Sequence, residues 1–212
     1  MIEIQNLNKA FEQHVIFKDF NLTIQEGSFV VFCGESGCGK TTLLNMIGGL
    51  EPVDKGEILV NKKNIALNRN LRNYLQYEVG FLFQNFALIE SKTVRENLNM
   101  VKKSARSEIS MEEALKYVHL EDKIDTKIYK LSGGEQQRIA LARLLYKKCS
   151  IILADEPTGS LDKNNAQQVI QIMQDLNKLG KTIIMVTHVE EHKQVGSVCI
   201  DLSKNKNFQN QG

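Results

Sequence analysis

The sequence predicts an α/β domain built on a parallel sheet, with an N-terminal antiparallel β-subdomain and an inserted α-helical subdomain. Three observations predict it. Phe29-Val30-Val31-Phe32-Cys33 is an unbroken apolar run, as a strand buried on both faces requires. The glycine-rich stretch Gly34-Glu35-Ser36-Gly37-Cys38-Gly39-Lys40-Thr41 follows at once, and Leu43, Leu44 and Ile47 then repeat at helical spacing. Two further apolar runs, at 151–154 and 183–186, flank a stretch where Val169, Ile170, Ile172, Met173, Leu176 and Leu179 mark one helical face.

The elements follow in order. Residues 2–4 and 20–24 alternate apolar and polar, with 15–17 between them, which predicts short antiparallel strands with one buried face. Gln25-Glu26-Gly27 turns the chain into the strand at 29–33, and Gly48-Gly49 ends the helix after the glycine-rich loop. A loop at 52–56 leads to a strand at 57–60. Residues 62–76, rich in Asn and Arg, read as a surface excursion. The strand-like run 79–83 leads to Gln84. From 85 to 130 the pattern is helical, with capping boxes at Thr93/Glu96 and Ser110/Glu113. Ile139, Leu141, Leu144 and Leu145 belong to another helix. Gly180 closes the long helix, and 198–202 is the last strand. This divides the chain into a core with its β-subdomain (1–84 and 131–202), a helical subdomain (85–130) and a polar, frayed tail (203–212).

Composition sets bounds. The 212 residues suffice for one compact domain, and 42% hydrophobic and 25% charged residues are ordinary for a globular protein. A net charge of +2 argues against a nucleic-acid partner held by a basic field. The apolar runs fall far short of the roughly 20 residues a membrane span needs. The start, Met1-Ile2-Glu3-Ile4, does not read as a secretory leader. The cysteines Cys33, Cys38, Cys149 and Cys199 show no metal-type spacing and are expected to be reduced thiols. Cys38, inside the glycine-rich loop, is expected within reach of oxidants and alkylating reagents.

The stretch from Gly34 to Thr41 fits G-x-x-x-x-G-K-[ST], the phosphate-binding P-loop, and stands between strand and helix as that motif requires. Gly34, Gly37 and Gly39 let backbone N–H groups turn onto phosphate oxygens, and the helix beginning near Lys40 adds its positive dipole end. Lys40 is expected to reach the β- and γ-phosphates of a nucleotide and Thr41 to offer its hydroxyl to Mg²⁺. Glu35, Ser36, Cys38 and Thr42 complete the expected phosphate-binding run. The apolar strand at 151–154 ends in Asp155 and Glu156. Asp155 is the expected Mg²⁺ partner. Glu156, on the other side of the strand, would take a proton from the attacking water or orient it. The alternative is a pair of acids where a strand meets solvent.

Leu131-Ser132-Gly133-Gly134-Glu135-Gln136-Gln137-Arg138 matches the LSGGQ-type signature of ATP-binding cassette (ABC) proteins. Ser132 and its glycines precede a helix, a second anion-ready N-terminus. The resemblance runs from Ile2 to about Leu202. It implies the P-loop NTPase fold of ABC ATPases, with a RecA-like core, and the substrate ATP with Mg²⁺. It also implies two copies, or this cassette and a homologue, meeting head to tail. Ser132, Gly133, Gly134 and Glu135 of one then close on the ATP held by the P-loop of the other. In the same register, Gln84 resembles the glutamine that senses Mg²⁺ and the γ-phosphate. Asp162, in Ser160-Leu161-Asp162, resembles the loop that crosses the dimer interface. His188 matches the switch histidine at the γ-phosphate, which makes Glu156, His188 and Lys40 the expected catalytic set. Phe11 sits where an aromatic stacks on adenine; its alternative is an edge-strand packing residue. His14, His119 and His192 have no such context and read as surface or packing residues.

The run Pro157-Thr158-Gly159-Ser160-Leu161-Asp162 and the segment 80–89 resemble the MacB/LolD/FtsE branch. Gln84-Asn85-Phe86-Ala87-Leu88-Ile89-Glu90 with Thr93-Val94-Arg95-Glu96-Asn97-Leu98 is most similar to ATPases of lactococcin-type bacteriocin exporters. That resemblance implies a separate membrane permease with a large extracytoplasmic domain, export of a peptide, bacteriocin or antibiotic, and a cytoplasmic place on the inner face of the membrane. It implies no nucleic-acid partner. Phe83, Phe86, Leu88 and Ile89 are expected beside the permease-docking groove, or else packing the helical part onto the core. The rival readings are an FtsE-like signalling ATPase controlling an outside activity, a soluble ABC ATPase of translation or repair, and an importer subunit.

Overall fold

The computed structural model describes residues 1–203; the tail expected at 203–212 lies, beyond Ser203, outside the described residues. Among the described residues the chain forms two sheets. The first is antiparallel, in the order β2 (His14–Ile24), β1 (Ile2–Phe11), β4 (Lys55–Val60), β5 (Lys63–Asn64). The second is parallel, in the order β6 (Val79–Leu82), β7 (Ile151–Asp155), β8 (Thr182–Val186), β3 (Phe29–Cys33), β9 (Val198–Asp201).

The unbroken apolar runs are explained by what covers the parallel sheet. Side chains alternate across a strand, and here the two faces feed different cores. Phe29, Val31, Ile152, Ala154, Ile183 and Met185 join the cluster containing α5 (Gly133–Tyr146) and α6 (Lys163–Lys178). Val30, Phe32, Ile151, Leu153, Ile184 and Val186 join the cluster of α1 (Lys40–Ile47) and the antiparallel sheet. The expected mixed α/β architecture is therefore present, with the glycine-rich loop at the C-terminal end of β3 where parallel-sheet proteins bind ligands.

Three segments differ from expectation. The short N-terminal strands are two long ones, because bulges near Asn6 and Asp19 interrupt the alternation without ending the strands; both residues have positive φ (48° and 47°). Residues 62–76 are not a bare surface excursion. They hold β5, α2 (Asn68–Asn73) and the first part of a π-turn at Tyr74–Glu78, with Tyr74 and Ile65 buried. The Tyr74 hydroxyl donates to the Ile47 carbonyl at the end of α1 (3.0 Å). The helical stretch 85–130 is broken into α3 (Val94–Leu98), α4 (Met111–Tyr117) and 3-10 turns. Both expected capping boxes form. His119, in a left-handed conformation (φ 57°), stops α4 after two turns: Leu120 N–H donates to the Leu115 carbonyl (3.0 Å) and His119 N–H to that of Lys116 (3.1 Å).

Candidate active site

A cavity of about 690 Å³ opens where β3, β7 and β8 end. Phe11, His14 and Ile16 wall it from the β1–β2 hairpin. Gly34, Ser36, Gly37, Gly39, Lys40, Thr41 and Thr42 form its floor, and Glu156, Val186 and His188 close the far side. The loop is built tightly. Gly39, the residue before α1, has φ 98°, and a Cβ there would lie 2.5 Å from Ile16 and 2.9 Å from Phe17, so only glycine fits. Lys40 is buried, its Nζ donating to the carbonyls of Gly34 and Glu35, both at 2.8 Å. Glu35 and Cys38 stand outside the cavity. The Glu35 N–H donates to Ser203 Oγ (2.7 Å). Cys38 is 2% exposed, so the expected reagent access is wrong; its thiol lies beneath the loop.

Asp155, the last residue of β7, accepts a hydrogen bond from Thr41 Oγ1 (3.0 Å). Burial pushes its carboxyl up, the Thr41 hydroxyl pulls it down, and the neighbouring Glu156 charge pushes it up again. A hydroxyl and a half-buried carboxylate this close are the hard oxygen donors a Mg²⁺ ion takes when phosphates and water supply the rest.

Glu156 is not on the strand. β7 ends at Asp155, and Glu156 has φ 47°, a left-handed conformation that strains a residue with a Cβ. This turn, not strand alternation, sets its direction, held by its N–H on the Val186 carbonyl (3.0 Å). Its Oε1 meets His188 Nδ1 at 2.7 Å, and its Oε2 accepts from the His188 N–H at 3.4 Å. The two residues thus form one unit across the ends of β7 and β8.

Other expected residues lie elsewhere. Gln84 is exposed and stands beside Gly159, its Nε2 3.4 Å from where a Cβ on that glycine would be; it does not line the cavity. Ser132 caps α5, its Oγ accepting from Glu135 N–H (3.3 Å), while Glu135 Oε2 accepts from Ser132 N–H (2.8 Å). Gly133 faces Phe86 and Leu161. Asp162 caps α6, where the Asn165 N–H bond lowers its pKa first and the Asn165 side chain next. The signature residues Ser132 to Glu135 therefore lie away from the P-loop cavity of their own chain. Gly134 abuts the Asn165 side chain, and Arg138 Nη1 donates to Asn165 Oδ1 (2.9 Å), which ties the two capped helices together.

Two of the histidines read as surface or packing residues have defined neighbours. His14 pairs with Phe11 across the hairpin turn and shares the cavity wall. The signal was available, since residues three apart across a two-residue turn face each other. His192 meets the buried Thr158 hydroxyl through Nδ1 (3.1 Å), and burial lowers its pKa. No local pattern marks that contact. Phe11 is 45% exposed, with Lys9 Nζ 4.8 Å from its ring centroid.

The family model described as ABC transporter matches residues 17–159. The methionine import ATP-binding protein MetN of Clostridium acetobutylicum is 41% identical over 199 residues, covering 90% of this chain and 62% of MetN. The macrolide export ATP-binding/permease protein MacB of Campylobacter jejuni is 37% identical over 195 residues, covering 89% of this chain but 30% of MacB. Among solved structures, the ATP-binding cassette MJ0796, in a dimeric post-hydrolysis state bound to ADP and Pi, superposes with a TM-score of 0.82 at 34% identity, covering 95% and 94% of the two chains.

Proposed function

Since the chain belongs to the ABC transporter family as an ATP-binding, ATP-hydrolysing cassette, we propose that it closes as a dimer on two ATP molecules and thereby drives a separate MacB-like export permease. The observation that carries the catalytic part is the 2.7 Å Glu156–His188 pair facing Lys40 and Thr41 across one cavity. In this reading Lys40 and the loop amides hold the phosphates. Thr41 and Asp155, with Gln84, would hold Mg²⁺, which when bound would supply charge neutralisation at the phosphates. Glu156 accepts the proton of the attacking water, and His188 keeps Glu156 and the terminal phosphate in register. Phe11 stacks on the base, with Lys9 near its ring. Ser132, Gly133, Gly134 and Glu135, with Asp162 beside them, act on the ATP of the partner copy, since they reach none of their own.

The stretch 85–130 acts as a helical subdomain that meets the permease at the inner face of the membrane. A groove of about 560 Å³ is lined by Leu75, Phe81, Phe83, Met100 and Val101, with the exposed Arg72 and Lys102 beside them and Arg143 and Lys147 bonded to backbone carbonyls. An apolar helix end with acidic flanks fits it. Of the four residues expected there, Phe83 lines it, stacked 5.2 Å from Phe81. Phe86, Leu88 and Ile89 do not; Leu88 packs on the core instead. The export assignment rests on the resemblance of 157–162 and 80–89 to the MacB/LolD/FtsE branch, and the bacteriocin-type group within it on 84–90 and 93–98. The 41% identity to a methionine importer makes import the competing reading.

Glu156→Gln tests both levels. ATP should still bind, and hydrolysis should fall about 10²- to 10⁴-fold, the usual worth of a general base. Purified from native membranes with ATP and Mg²⁺, the variant should retain a polytopic partner with a large extracytoplasmic domain. A compact permease with a solute-binding protein would show import. Ribosomes or repair proteins in its place would overturn transport, and unchanged hydrolysis would overturn the role of Glu156.

A further inference from the structure

We propose that Cys33 and Cys199 form a thiol–disulfide site that low-molecular-weight disulfides oxidise, cross-linking β9 to β3 at the base of the P-loop. The register places the pair. Val31 lies opposite Cys199 and Cys33 opposite Asp201, so the two cysteines are two residues apart on neighbouring parallel strands and share a face. Their sulfurs are 2.7 Å apart, and both are free thiols. They differ in access: Cys33 is buried and Cys199 is exposed. Burial, the hydrogen bond with Cys199 and the nearby charges of Cys199 and Asp201 push the Cys33 thiol up to about 12, against a pull from Lys193. Cys33 therefore stays protonated while Cys199 faces solvent as the attacking group. The other two thiols are excluded by burial, with Cys149 Sγ bonded to the Leu144 carbonyl (3.5 Å).

The chemistry balances. The Cys199 thiolate attacks one sulfur of the small disulfide, forming a mixed disulfide and releasing one thiolate. With Cys199 in the mixed disulfide its charge no longer opposes ionisation of Cys33, which attacks Cys199 Sγ and passes its proton to the departing thiolate, releasing the second small thiol. Two protein thiols are oxidised by two electrons, and the small disulfide leaves as two thiols.

The position gives the cross-link a consequence. Cys33 directly precedes Gly34, which has φ 130°, and a Cβ there would lie 2.6 Å from Ser203 Oγ and 3.0 Å from Asp201 Oδ1. Ser203 Oγ accepts the Glu35 N–H (2.7 Å), and Ser203 N–H donates to Asp201 Oδ1 (3.0 Å). The end of β9 is thus the seat of the loop's first turn. Among the described residues β9 is an edge strand, bonded only to β3 in its sheet. Drawing it toward β3 shifts that seat.

The test is mass spectrometry of the whole, folded protein after incubation with oxidised glutathione. We expect a loss of about 2 Da, a Cys33–Cys199 linked peptide, and reversal by dithiothreitol. Cys33→Ala should stop at a Cys199–glutathione mixed disulfide, and Cys199→Ala should stay unmodified at Cys33. Both thiols remaining alkylatable, or links only between molecules, would overturn the site. This readout does not depend on the ATPase reading. Binding of a fluorescent ATP analogue should weaken at least about 3-fold on oxidation, in line with the close fit that phosphate loops need, and recover on reduction. Equal binding by the cross-linked form would overturn the link to the loop.

Discussion

Asp155 and Glu156 are neighbours in sequence, yet the backbone gives them different tasks. Asp155 ends a strand and is half-buried; Glu156 is turned away by a left-handed φ of 47°. That conformation costs about 1–2 kcal/mol for a residue with a Cβ, and the cost is tolerated where it aims a functional group. Asp155 carries a different cost. Burial raises its carboxyl pKa above the unfolded value. The folded state therefore binds its proton more readily than the unfolded chain, and the ionised form is a penalty. The penalty is complete above the folded pKa and fades as pH falls through it toward the unfolded value. Asp155→Asn should therefore raise Tm at neutral pH without nucleotide, with the difference shrinking as pH falls through the raised folded pKa and gone below the unfolded one, while Mg²⁺-dependent hydrolysis is lost. Thermal melts from pH 8 to pH 3.5 would check this; a lower Tm at pH 7 would contradict the burial argument. The P-loop and acidic residues could be read from sequence because their spacing is local. His192 could not be given a place, because the partner that defines it, Thr158 across 34 residues, comes from folding, whereas the pairing of His14 with Phe11 across a two-residue turn was local and was missed.

Helix ends carry the second set of proposed functional positions. Ser132 and Glu135 close a capping box at α5, and Asp162 caps α6. The capping boxes at 93–96 and 110–113 were read from four consecutive residues each; the same spacing at 132–135 was read as a signature and its cap was missed. Helix lengths within 85–130 and the buried part of 62–76 were not legible. His119 in a left-handed conformation and Tyr74 bonded to Ile47 override the local pattern through tertiary contacts. The cap also separates two roles of Ser132. Asp caps about as well as Ser, and a negative charge is favoured at a helix N-terminus. Ser132→Asp should thus leave Tm within about 2 °C, since a change below 0.5 kcal/mol moves a domain this size little. If Ser132 acts on the partner's ATP, the added charge should repel it and reduce ATP-dependent dimerisation at least about 10-fold, a loss of 1.4 kcal/mol or more. Sedimentation velocity with ATP on the Glu156→Gln background would measure it. Undiminished dimerisation would free Ser132 of that role and leave it a cap alone.

At the scale of the whole molecule, the two faces of the parallel sheet divide the work. The α1 side carries the P-loop cavity, and the α5–α6 side carries the signature cap and Asp162. In the proposed reading one chain therefore holds two half-sites that do not meet. A symmetric pair can bring each half-site onto the other's complement, and such a pairing predicts complementation. In the proposed reading Lys40→Ala should abolish activity by removing the phosphate-binding amine, and Ser132→Asp by setting a negative charge against the partner's ATP. In a mixed dimer of the two, one site contains both lesions and the other neither. Random pairing makes half the dimers mixed, so a 1:1 mixture should recover about a quarter of wild-type ATPase activity if the sites act independently. A site completed within one chain would recover nothing on mixing. Titrating one inactive variant into the other and following phosphate release distinguishes the two, because recovery from a shared site must pass through a maximum near equal amounts.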